Sequence, residues 1–424
     1  MFTSVRIPHP ARFLLLPEAM ILLLGLVCAS APAKVVYVNK NAPGPTHTGA
    51  TWATAFTTVQ AGVNAAASGD EVWVAGSTYV ENILVFAGLA LYGGFTGTET
   101  ARAQRDWKTN EAILDGNQAG PVLILPWDGL VDGFTIRNGR CSSSTYYGAA
   151  LSLGASGTGG TFTVTNNTIT NNSSYVIGNV FLYGGSATIA SNAICGNDAG
   201  GIYMEDGTVT IENNTIADNT HGVGVYVRKG VATIENNTIV GNTADSIGLG
   251  GIYLFGAGDK VTVRNNIVAF NNVGINASSG DWLTLSHNVV FGNGGNYLGV
   301  PDPGWANGNL PLDPLFVDRT AKDYHLLPGS HCIDTGNDVA AAPGETDMDG
   351  KPRKIGIHVD IGAYEYGATY YTMTDVSHAL SLAAGLTNAS SADLAWIGET
   401  AEEGVKLHDV ARLARKVAGL DVNP

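Results

Sequence analysis

The sequence predicts an all-β chain that folds as a right-handed parallel β-helix, a solenoid of stacked coils, with an N-terminal capping helix and a small C-terminal α-helical domain. Three observations predict this fold. First, a short asparagine-containing motif recurs through the middle of the chain. Second, a segment of alternating apolar and polar residues precedes each copy. Third, only 14% of the 424 residues are charged, while 55 residues are glycine. This composition is typical of coils whose corners need glycine or asparagine and whose stacked side chains are neutral.

The repeated motif is the main basis of the prediction. Its second residue is always Asn, and a short β-branched or apolar segment follows. Another Asn lies five positions after this second residue. Gly133 begins a segment that is similar to these copies. In solenoids each unit buries its apolar side only against its neighbours, so regular repetition is required. The copies start at Asn166, Ser191, Asn213, Asn236, Asn265 and His287.

An alternating segment, such as residues 208–212, precedes each asparagine pair. Alternation predicts a short strand with one buried face. Asn and Gly tolerate left-handed backbone angles and therefore predict sharp corners between strands. Stacked coils pair each strand with its counterpart about 4.8 Å away, and parallel crossovers are usually right-handed. In this register we expect Ile211 to stack on Ile234 and Val263, and Asn214 to stack on Asn237 and Asn266.

The N-terminus has the layout of a secretory signal peptide. Arg6 and Arg12 precede an apolar run over residues 19–29, and residues 31–33 form an Ala-Pro-Ala cleavage site. We therefore expect residues 1–33 to be removed and the protein to be secreted or displayed on the cell surface. The apolar run is too short for a comfortable membrane span, and no other segment is long enough. Three cysteines remain, Cys141, Cys195 and Cys332, and we expect buried thiols.

We expect residues 34–120 to form the beginning of the solenoid. An amphipathic segment over residues 58–66 predicts a helix that caps the open first coil, and a turn and a buried strand follow it. Together with the coils, these segments resemble secreted right-handed β-helix proteins of the pectate-lyase-like superfamily across most of residues 34–300. The resemblance implies the fold but not lyase activity, because such scaffolds carry different functions. It rests on residues 36–39, 69–74, 91–95, 113–116 and 132–136.

The segment over residues 310–367 has a different set of ordered motifs. It resembles the C-terminal part of bacterial surface proteins that carry a "choice-of-anchor Q" domain, which implies attachment near the cell surface. We assign residues 34–367 to one β-helical domain and read Asp347 and Asp349 as part of a turn. The motifs lie at residues 313–316, 324–326, 333–336, 347–350 and 359–365.

Residues 368–424 are rich in Ala and Leu and contain an internal duplication, in which residues 375–376 match 409–410. The duplication resembles a dockerin, a pair of calcium loops and helices that binds a cohesin. The resemblance implies a cohesin-like or other surface partner for this tail. Of the positions that hold calcium in a dockerin, Glu402 and Asp409 keep an acidic residue, whereas most others lack an oxygen ligand. These departures argue against calcium, so no cofactor is expected.

The charge pattern excludes one class of partner and offers one candidate site. The net charge is −15 and no basic stripe is present, which excludes nucleic acid as a partner. Arg228 and Lys229 are expected one coil above Glu205 and Asp206. This arrangement is either a catalytic groove or a ladder of ion pairs, and we favour the ladder because ion-pair networks resemble active sites.

Two further sets of residues stack in the predicted register. The first set is Glu212 and Glu235, followed by Arg264. Repulsion between the two stacked carboxylates either raises the pKa of one of them or lets the pair hold a cation. Alternatively, both side chains point outward into solvent and Arg264 offsets their charge. We favour the solvated positions. The second set consists of tyrosines that either stack on sugar rings or pack on each other, and packing is favoured. These are Tyr203, Tyr226 and Tyr253.

No cluster of acidic or basic residues identifies a catalytic centre. The sequence therefore predicts a secreted or cell-surface bacterial β-helix protein that binds glycans or proteins along its coils without catalysis and is attached through its C-terminal module. The alternative is a polysaccharide lyase or glycoside hydrolase that acts on acidic polysaccharide in a groove on the coils.

Overall fold

A computed structural model of the chain describes residues 33–367, apart from 87, 143–147, 155–158, 175–177, 247, 257–259 and 341–343. The predicted signal peptide, except Ala33, lies outside this range. The predicted dockerin-like tail lies outside it as well, together with the candidate calcium ligands Glu402 and Asp409. Within the described residues, no helix has the length and apolar character needed to cross a membrane.

The described chain winds into stacked coils whose strands form three faces, and each strand pairs in parallel with its counterparts in the adjacent coils. The first two faces belong to one continuous sheet, because two long strands pass through the corner between them. These strands are Val180–Ala190 and Ile202–Glu212. Parallel strands on all sides predict a closed stack with edges only at its two ends.

Each face takes its strands from successive coils, in chain order. The first face contains Ile83–Leu84, Leu123–Leu125, Leu151–Leu153, the first halves of the two long strands, Val225–Val227, Ile252–Leu254, Ile275–Ala277 and Tyr297–Leu298. The second face contains Val35–Val38, Glu71–Ala75, Leu89–Phe95, Gly129–Asp132, Thr161–Thr165, the second halves of the long strands, Val231–Glu235, Val261–Arg264 and Leu283–Ser286. The third face contains Ser77–Val80, Ala112–Asp115, Phe134–Arg137, Thr168–Thr170, Ala193–Cys195, Thr215–Ala217, Thr238–Val240, Ile267–Ala269 and Val289–Phe291.

Shorter elements complete the described chain. Arg140–Cys141 pairs in parallel with Ser173–Ser174, and Phe316–Asp318 pairs antiparallel with Asp323–Leu326. One α-helix covers Val59–Ala65. Single 3₁₀ turns lie at Trp52–Thr54, Arg102–Gln104, Ala306–Gly308 and Asp338–Ala340.

The predicted register is confirmed. Ile211 pairs with Ile234, and Ile234 pairs with Val263. All three side chains are fully buried, and they belong to one apolar core that runs through the stack from Val36 to Val290. Alternation with period two therefore predicts the inward residues correctly, because every second side chain of a strand points to the same side of the sheet.

The corners use left-handed residues, as predicted. The first residue of each asparagine pair has a positive φ, for example 53° at Asn213 and 55° at Asn236. The position before the second repeated Asn of each copy behaves in the same way, with φ of 53° at Asp218 and 67° at Gly241. Asn, Asp and Gly adopt this conformation at the lowest cost, which explains their frequency at these sites.

Two ladders of stacked asparagines satisfy the backbone at these corners. The Nδ2 group of Asn214 donates to the carbonyl oxygens of Ile189 and Glu212, at 2.7 and 2.9 Å. The backbone N–H of Asn214 donates to Oδ1 of Asn237 in the next coil at 3.0 Å. One ladder contains Asn167, Asn192, Asn214, Asn237, Asn266, Asn288 and Asn309, and the other contains Asn172, Asn197, Asn219, Asn242, Asn271, Asn293 and Asn296.

A helix is present where the amphipathic segment predicts one. The side chain of Thr58 caps Val59–Ala65, and the carboxylate of Glu81 accepts from the first two backbone N–H groups, at 2.8 and 2.9 Å. Val59 and Val63 are buried in the apolar core beside Val35–Val38. The role of this helix as a cap on the coil edge stays a prediction.

The chain after the last coil, which we call the C-terminal segment (residues 310–367), packs back along the third face. Tyr324 donates from its hydroxyl to Asp218 Oδ2 at 3.2 Å, and the backbone N–H of Gly362 donates to the carbonyl oxygen of Asn265 at 2.8 Å. Further contacts of the segment with the third face are those of Tyr364 with Thr215 and of Ala363 with Thr238.

The motifs of the C-terminal segment form a buried polar network. Arg353 is 1% exposed and donates from Nη2 to the carbonyl oxygens of Asp360 and Gly362, at 2.8 and 2.7 Å. Asp347 Oδ1 accepts from the N–H groups of the turn that follows, which confirms the predicted turn. Burial raises the pKa of Glu365, although Arg353 lies beside it. These motif residues therefore serve the fold of the segment itself.

The cysteines agree with the sequence prediction. Cys141 and Cys332 are buried and Cys195 is half-buried. Burial raises the pKa of Cys332 to about 12 and that of Cys195 to about 11, so both thiols stay protonated.

The asparagine ladder gives the first testable prediction. We expect Asn237→Ala to lower the free energy of unfolding by at least about 3 kcal/mol, because the carbonyls of Ile211 and Glu235 and the N–H of Asn214 all lose their bonds to this side chain. The matched control is Asn272→Ala, an exposed asparagine with one bond to a backbone carbonyl, which should cost about 0.5 kcal/mol or less. Chemical denaturation followed by circular dichroism measures both changes, and equal effects would contradict the ladder's role.

Candidate functional site

The predicted tyrosines form a stacked row on the first face. The ring centroids of Tyr203 and Tyr226 are 4.7 Å apart and those of Tyr226 and Tyr253 are 4.8 Å apart, and Phe181 extends the row. Tyr203 is 4% exposed, Tyr226 is 8% exposed and Tyr253 is half-buried. This burial supports packing as the role of these rings. A role in binding sugar stays a prediction.

The charged candidates beside this row form two ion pairs. Arg228 pairs with Glu205, which also accepts from the hydroxyl of Tyr203. Lys229 Nζ lies 3.0 Å from Asp206 Oδ2, and this contact lowers the pKa of Asp206. The two partners of each pair lie one coil apart, as the ladder interpretation predicts. Each basic group is held by a carboxylate, which leaves it poorly placed to act as a base, and a catalytic role for Glu205, Asp206 or Arg228 stays a hypothesis.

The prediction that Glu212 and Glu235 are solvated is wrong, whereas the predicted relief by Arg264 is confirmed at Glu235. Glu235 is 7% exposed and Glu212 is half-buried, because the C-terminal segment packs over this corner of the coils. Asn337 of that segment donates from its N–H to Asn265 Oδ1 at 2.8 Å, and Arg264 Nε lies 2.5 Å from Glu235 Oε2. Burial, together with the nearby carboxylates of Glu235 and Glu345, raises the pKa of Glu212 to about 7. The alternative of a raised pKa therefore describes Glu212, and burial is its main cause.

A cleft of about 690 Å³ lies where the C-terminal segment meets a loop from the N-terminal part of the chain. One wall consists of residues 105–108 and Glu111, and the opposite wall consists of residues 346–350. The floor consists of Ser191, in the corner between the second and third faces, and of Thr135 and Thr168, in the adjoining strands of the third face. The cleft brings polar floor groups, one tryptophan and charged side chains to a single place.

The first wall belongs to a loop, residues 96–111, at a corner that takes only one or two residues in the other coils. Arg105 fixes this loop. Its Nη2 lies 2.5 Å from Asp132 Oδ2, and both side chains are at most about a tenth exposed. The guanidinium of Arg105 also lies 4.8 Å from the ring centroid of Trp107 and 5.1 Å from that of Tyr92, a cation–π arrangement that orients Trp107.

Gly133 allows the loop to approach the coils. It occupies the corner position that is asparagine in most other copies, and its φ of 82° is left-handed. A Cβ atom at this position would lie 2.7 Å from Arg105 Nη1 and 2.9 Å from Trp107 Cβ. The departure of this copy from the repeat therefore makes room for the wall of the cleft.

The opposite wall is held by a small set of charged groups. Asp349 Oδ2 lies 3.0 Å from His325 Nε2 and 2.9 Å from Lys351 Nζ, and Lys108 Nζ donates to the carbonyl oxygen of Asp349 at 3.2 Å. Asp323 Oδ1 lies 2.5 Å from His325 Nδ1. Burial disfavours the charged form of His325, but the two carboxylates outweigh it and raise its pKa.

Sequence reasoning missed the cleft. Both walls lie in segments outside the repeat, and Lys108 and Asp349 are 241 positions apart. The available signal was a charged run with one tryptophan, residues 105–108, placed in a chain with little charge and in a long loop between two strands. The described residues contain no group of three or more His, Cys, Asp or Glu side chains that is arranged to hold a metal ion.

Comparison with known proteins identifies the type of coil. A family model described as "Right handed beta helix region" matches residues 150–300. The handedness predicted from the sequence is therefore supported for that part of the chain. The crystal structure of pectate lyase Pel9A superposes with a TM-score of 0.49 and 14% sequence identity, over 80% of this chain and 97% of that chain. No curated protein sequence matches the chain.

The contact at Gly133 gives a prediction about the cleft wall. Gly133→Asn restores the residue of the repeat at a left-handed position that Asn tolerates, so we expect the coils to remain folded while the loop is displaced. The loop amides of Asp106 and Asn110, which donate to Gly94 and Asp106, should then exchange faster by hydrogen-exchange mass spectrometry.

The matched control is His287→Asn, which makes the same consensus change in the last copy of the repeat, also at a positive φ, of 51°. It should leave exchange in residues 96–111 unchanged. Identical exchange of this loop in the Gly133→Asn variant and the unaltered protein would contradict the role of Gly133.

Proposed function

We propose that the protein is a secreted or cell-surface, non-catalytic β-helix that binds a polysaccharide segment in the cleft between residues 105–111 and 346–350. The observation that carries this proposal is the position of Trp107, which lines the cleft and is oriented by Arg105. An indole ring offers a flat apolar surface and an N–H donor, which suits the apolar face and the hydroxyl groups of a sugar ring.

The rest of the cleft supports a sugar ligand. Thr168 is exposed and Asn166 and Ser191 are half-buried on the floor, so hydroxyl and amide groups are available to hydrogen-bond a sugar. The volume, about 690 Å³, lies within the usual range for ligand sites. The floor also continues along the stacked corners of the coils, which suits a ligand that is a chain.

The charged groups favour binding over catalysis. Arg105, Arg228, Lys229 and Arg264 each lie against a carboxylate, at Asp132, Glu205, Asp206 and Glu235. A lyase needs a base that accepts a proton from the substrate, and a cation already held by a carboxylate is poorly suited to that task.

Secretion and attachment belong to the proposal as well. The signal-peptide layout of residues 1–33 supports export, and the resemblance of residues 310–367 to an anchoring segment supports display at the bacterial surface. We propose that residues 368–424 attach the protein to a surface or cohesin-like partner. The helix Val59–Ala65 acts as the cap of the first coil in this proposal.

The proposal predicts that Trp107→Ala weakens polysaccharide binding about tenfold or more, because aromatic anchors carry a large share of the binding energy. A glycan array of plant and bacterial polysaccharides identifies the ligand, and isothermal titration calorimetry measures the loss. Trp305→Ala is the matched control, since Trp305 is 63% exposed and does not line the cleft, and it should bind as the unaltered protein does. Failure of the unaltered protein to bind any glycan would refute the proposal.

A second candidate function is glycoside hydrolysis. Glu212, with a pKa raised to about 7, is suited to donate a proton near neutral pH, and Glu235 lies beside it in the next coil. A test measures reducing ends and unsaturated uronate products after incubation with acidic polysaccharides. Turnover that is lost in Glu212→Gln and retained in Glu205→Gln would establish this activity, and the absence of turnover would leave binding as the function.

A further inference from the structure

The charges that line the cleft restrict the kind of polysaccharide it accepts. We infer that the cleft selects a polysaccharide with protonated amino groups and rejects one with carboxylates. This inference rests on the proposed function, because it assumes that the cleft is the glycan site. It specifies the chemical class of the ligand.

The basic groups of the cleft are committed to the protein. Arg105 is nearly buried, and its two terminal nitrogens donate to the carbonyls of Gly93 and Asp132 and to the carboxylate of Asp132. Lys108 is exposed, but its Nζ donates to the carbonyl oxygen of Asp349 and so links the two walls. A uronate would therefore meet one exposed cation that is already engaged.

The acidic groups of the cleft are more numerous. Asp106 and Glu111 are exposed on the first wall, and Asp349 is half-buried on the second. Hydrogen bonds from Thr109 lower the pKa of Asp106, so this group is ionised at neutral pH. One oxygen of Glu111 accepts from the hydroxyl of Thr135 at 2.6 Å, which holds the carboxylate at the floor of the cleft.

The balance of these charges gives the selectivity. The lining carries four carboxylates, Asp106, Glu111, Asp347 and Asp349, against two basic groups, Arg105 and Lys108. Lys351 and His325 lie beside Asp349, and His325 also pairs with Asp323. The lining is thus net negative, and the chain as a whole carries −15. A polyuronate would be repelled by both the local and the overall field, while an amino-sugar polymer would be attracted.

Three hexasaccharides test the inference by isothermal titration calorimetry. They are a chitin oligomer with neutral acetylated amines, a chitosan oligomer with free amines, and a galacturonate oligomer. At a pH where the amines are protonated, we expect chitosan to bind most tightly and galacturonate least tightly. Added salt should weaken chitosan binding and leave chitin binding nearly unchanged, because only the charged ligand is screened.

Variants show whether the binding occurs in the cleft. Glu111→Gln should weaken chitosan binding about two- to fivefold, the range expected of one exposed charge, and leave chitin binding unchanged. Glu205→Gln, on the first face, is the matched control and should change neither. Chitosan binding that is insensitive to both Glu111→Gln and Trp107→Ala would show attraction to the acidic surface in general and would overturn the inference.

The outcomes separate this inference from the proposed function. Galacturonate binding tighter than chitin or chitosan, lost in Trp107→Ala, would overturn the inference and leave the cleft as a glycan site. Equal binding of chitin and chitosan would overturn the preference for amines. Absence of binding to these oligomers and to every glycan of the array would instead refute the proposed function.

Discussion

The stacked asparagines are the interaction on which the rest of the structure depends. A coil that turns sharply twice leaves backbone N–H and C=O groups at each corner without a strand partner, and burial of such groups is costly. An asparagine side chain satisfies both kinds of group at once. Its Nδ2 donates to backbone carbonyl oxygens, and its Oδ1 accepts from a backbone N–H of the preceding coil. Because the same geometry recurs in each coil from Asn167 and Asn172 onwards, each ladder also fixes the register of the strands beside it. Asn167 to Asn288 in one ladder and Asn172 to Asn271 in the other are at most 3% exposed, which leaves water unable to replace them.

Because the register is fixed, it also determines which charged side chains lie next to each other. Identical positions of successive coils lie about 4.8 Å apart, so a charge at one position meets whatever stands at the same position above and below. The described coils place opposite charges at such neighbouring positions, as Arg228 beside Glu205 and Arg264 beside Glu235. Where two glutamates do stack, Arg264 pairs with Glu235, and burial together with the nearby carboxylates raises the pKa of Glu212. The low charge content of the chain is therefore a consequence of the coil itself.

The candidate site arises where the repeat is broken. Gly133 replaces the corner asparagine, residues 96–111 replace a corner of one or two residues, and the C-terminal segment leaves the coil and returns along the third face. Together these departures form the walls of one cleft on the regular floor of the coils. This arrangement is common in proteins: a regular scaffold positions the site, and the irregular segments added to it contribute the functional side chains.

Sequence alone determined the coil and its corners. It also determined the stacking of Ile211 on Ile234 and of Asn214 on Asn237, and the pairing of Arg228 with Glu205. All of these features follow from a local period and a constant spacing between copies. It also located the helix near residues 58–66 and the turn at Asp347. Only the tertiary structure decided the environment of Glu235, whose burial depends on a segment some hundred residues further along the chain, and the existence of the cleft, whose walls are joined by Lys108 and Asp349 across 241 positions. The physical reason is that a repeat encodes contacts between neighbouring coils, whereas the path of the non-repeating segments is set by long-range packing that no local period records.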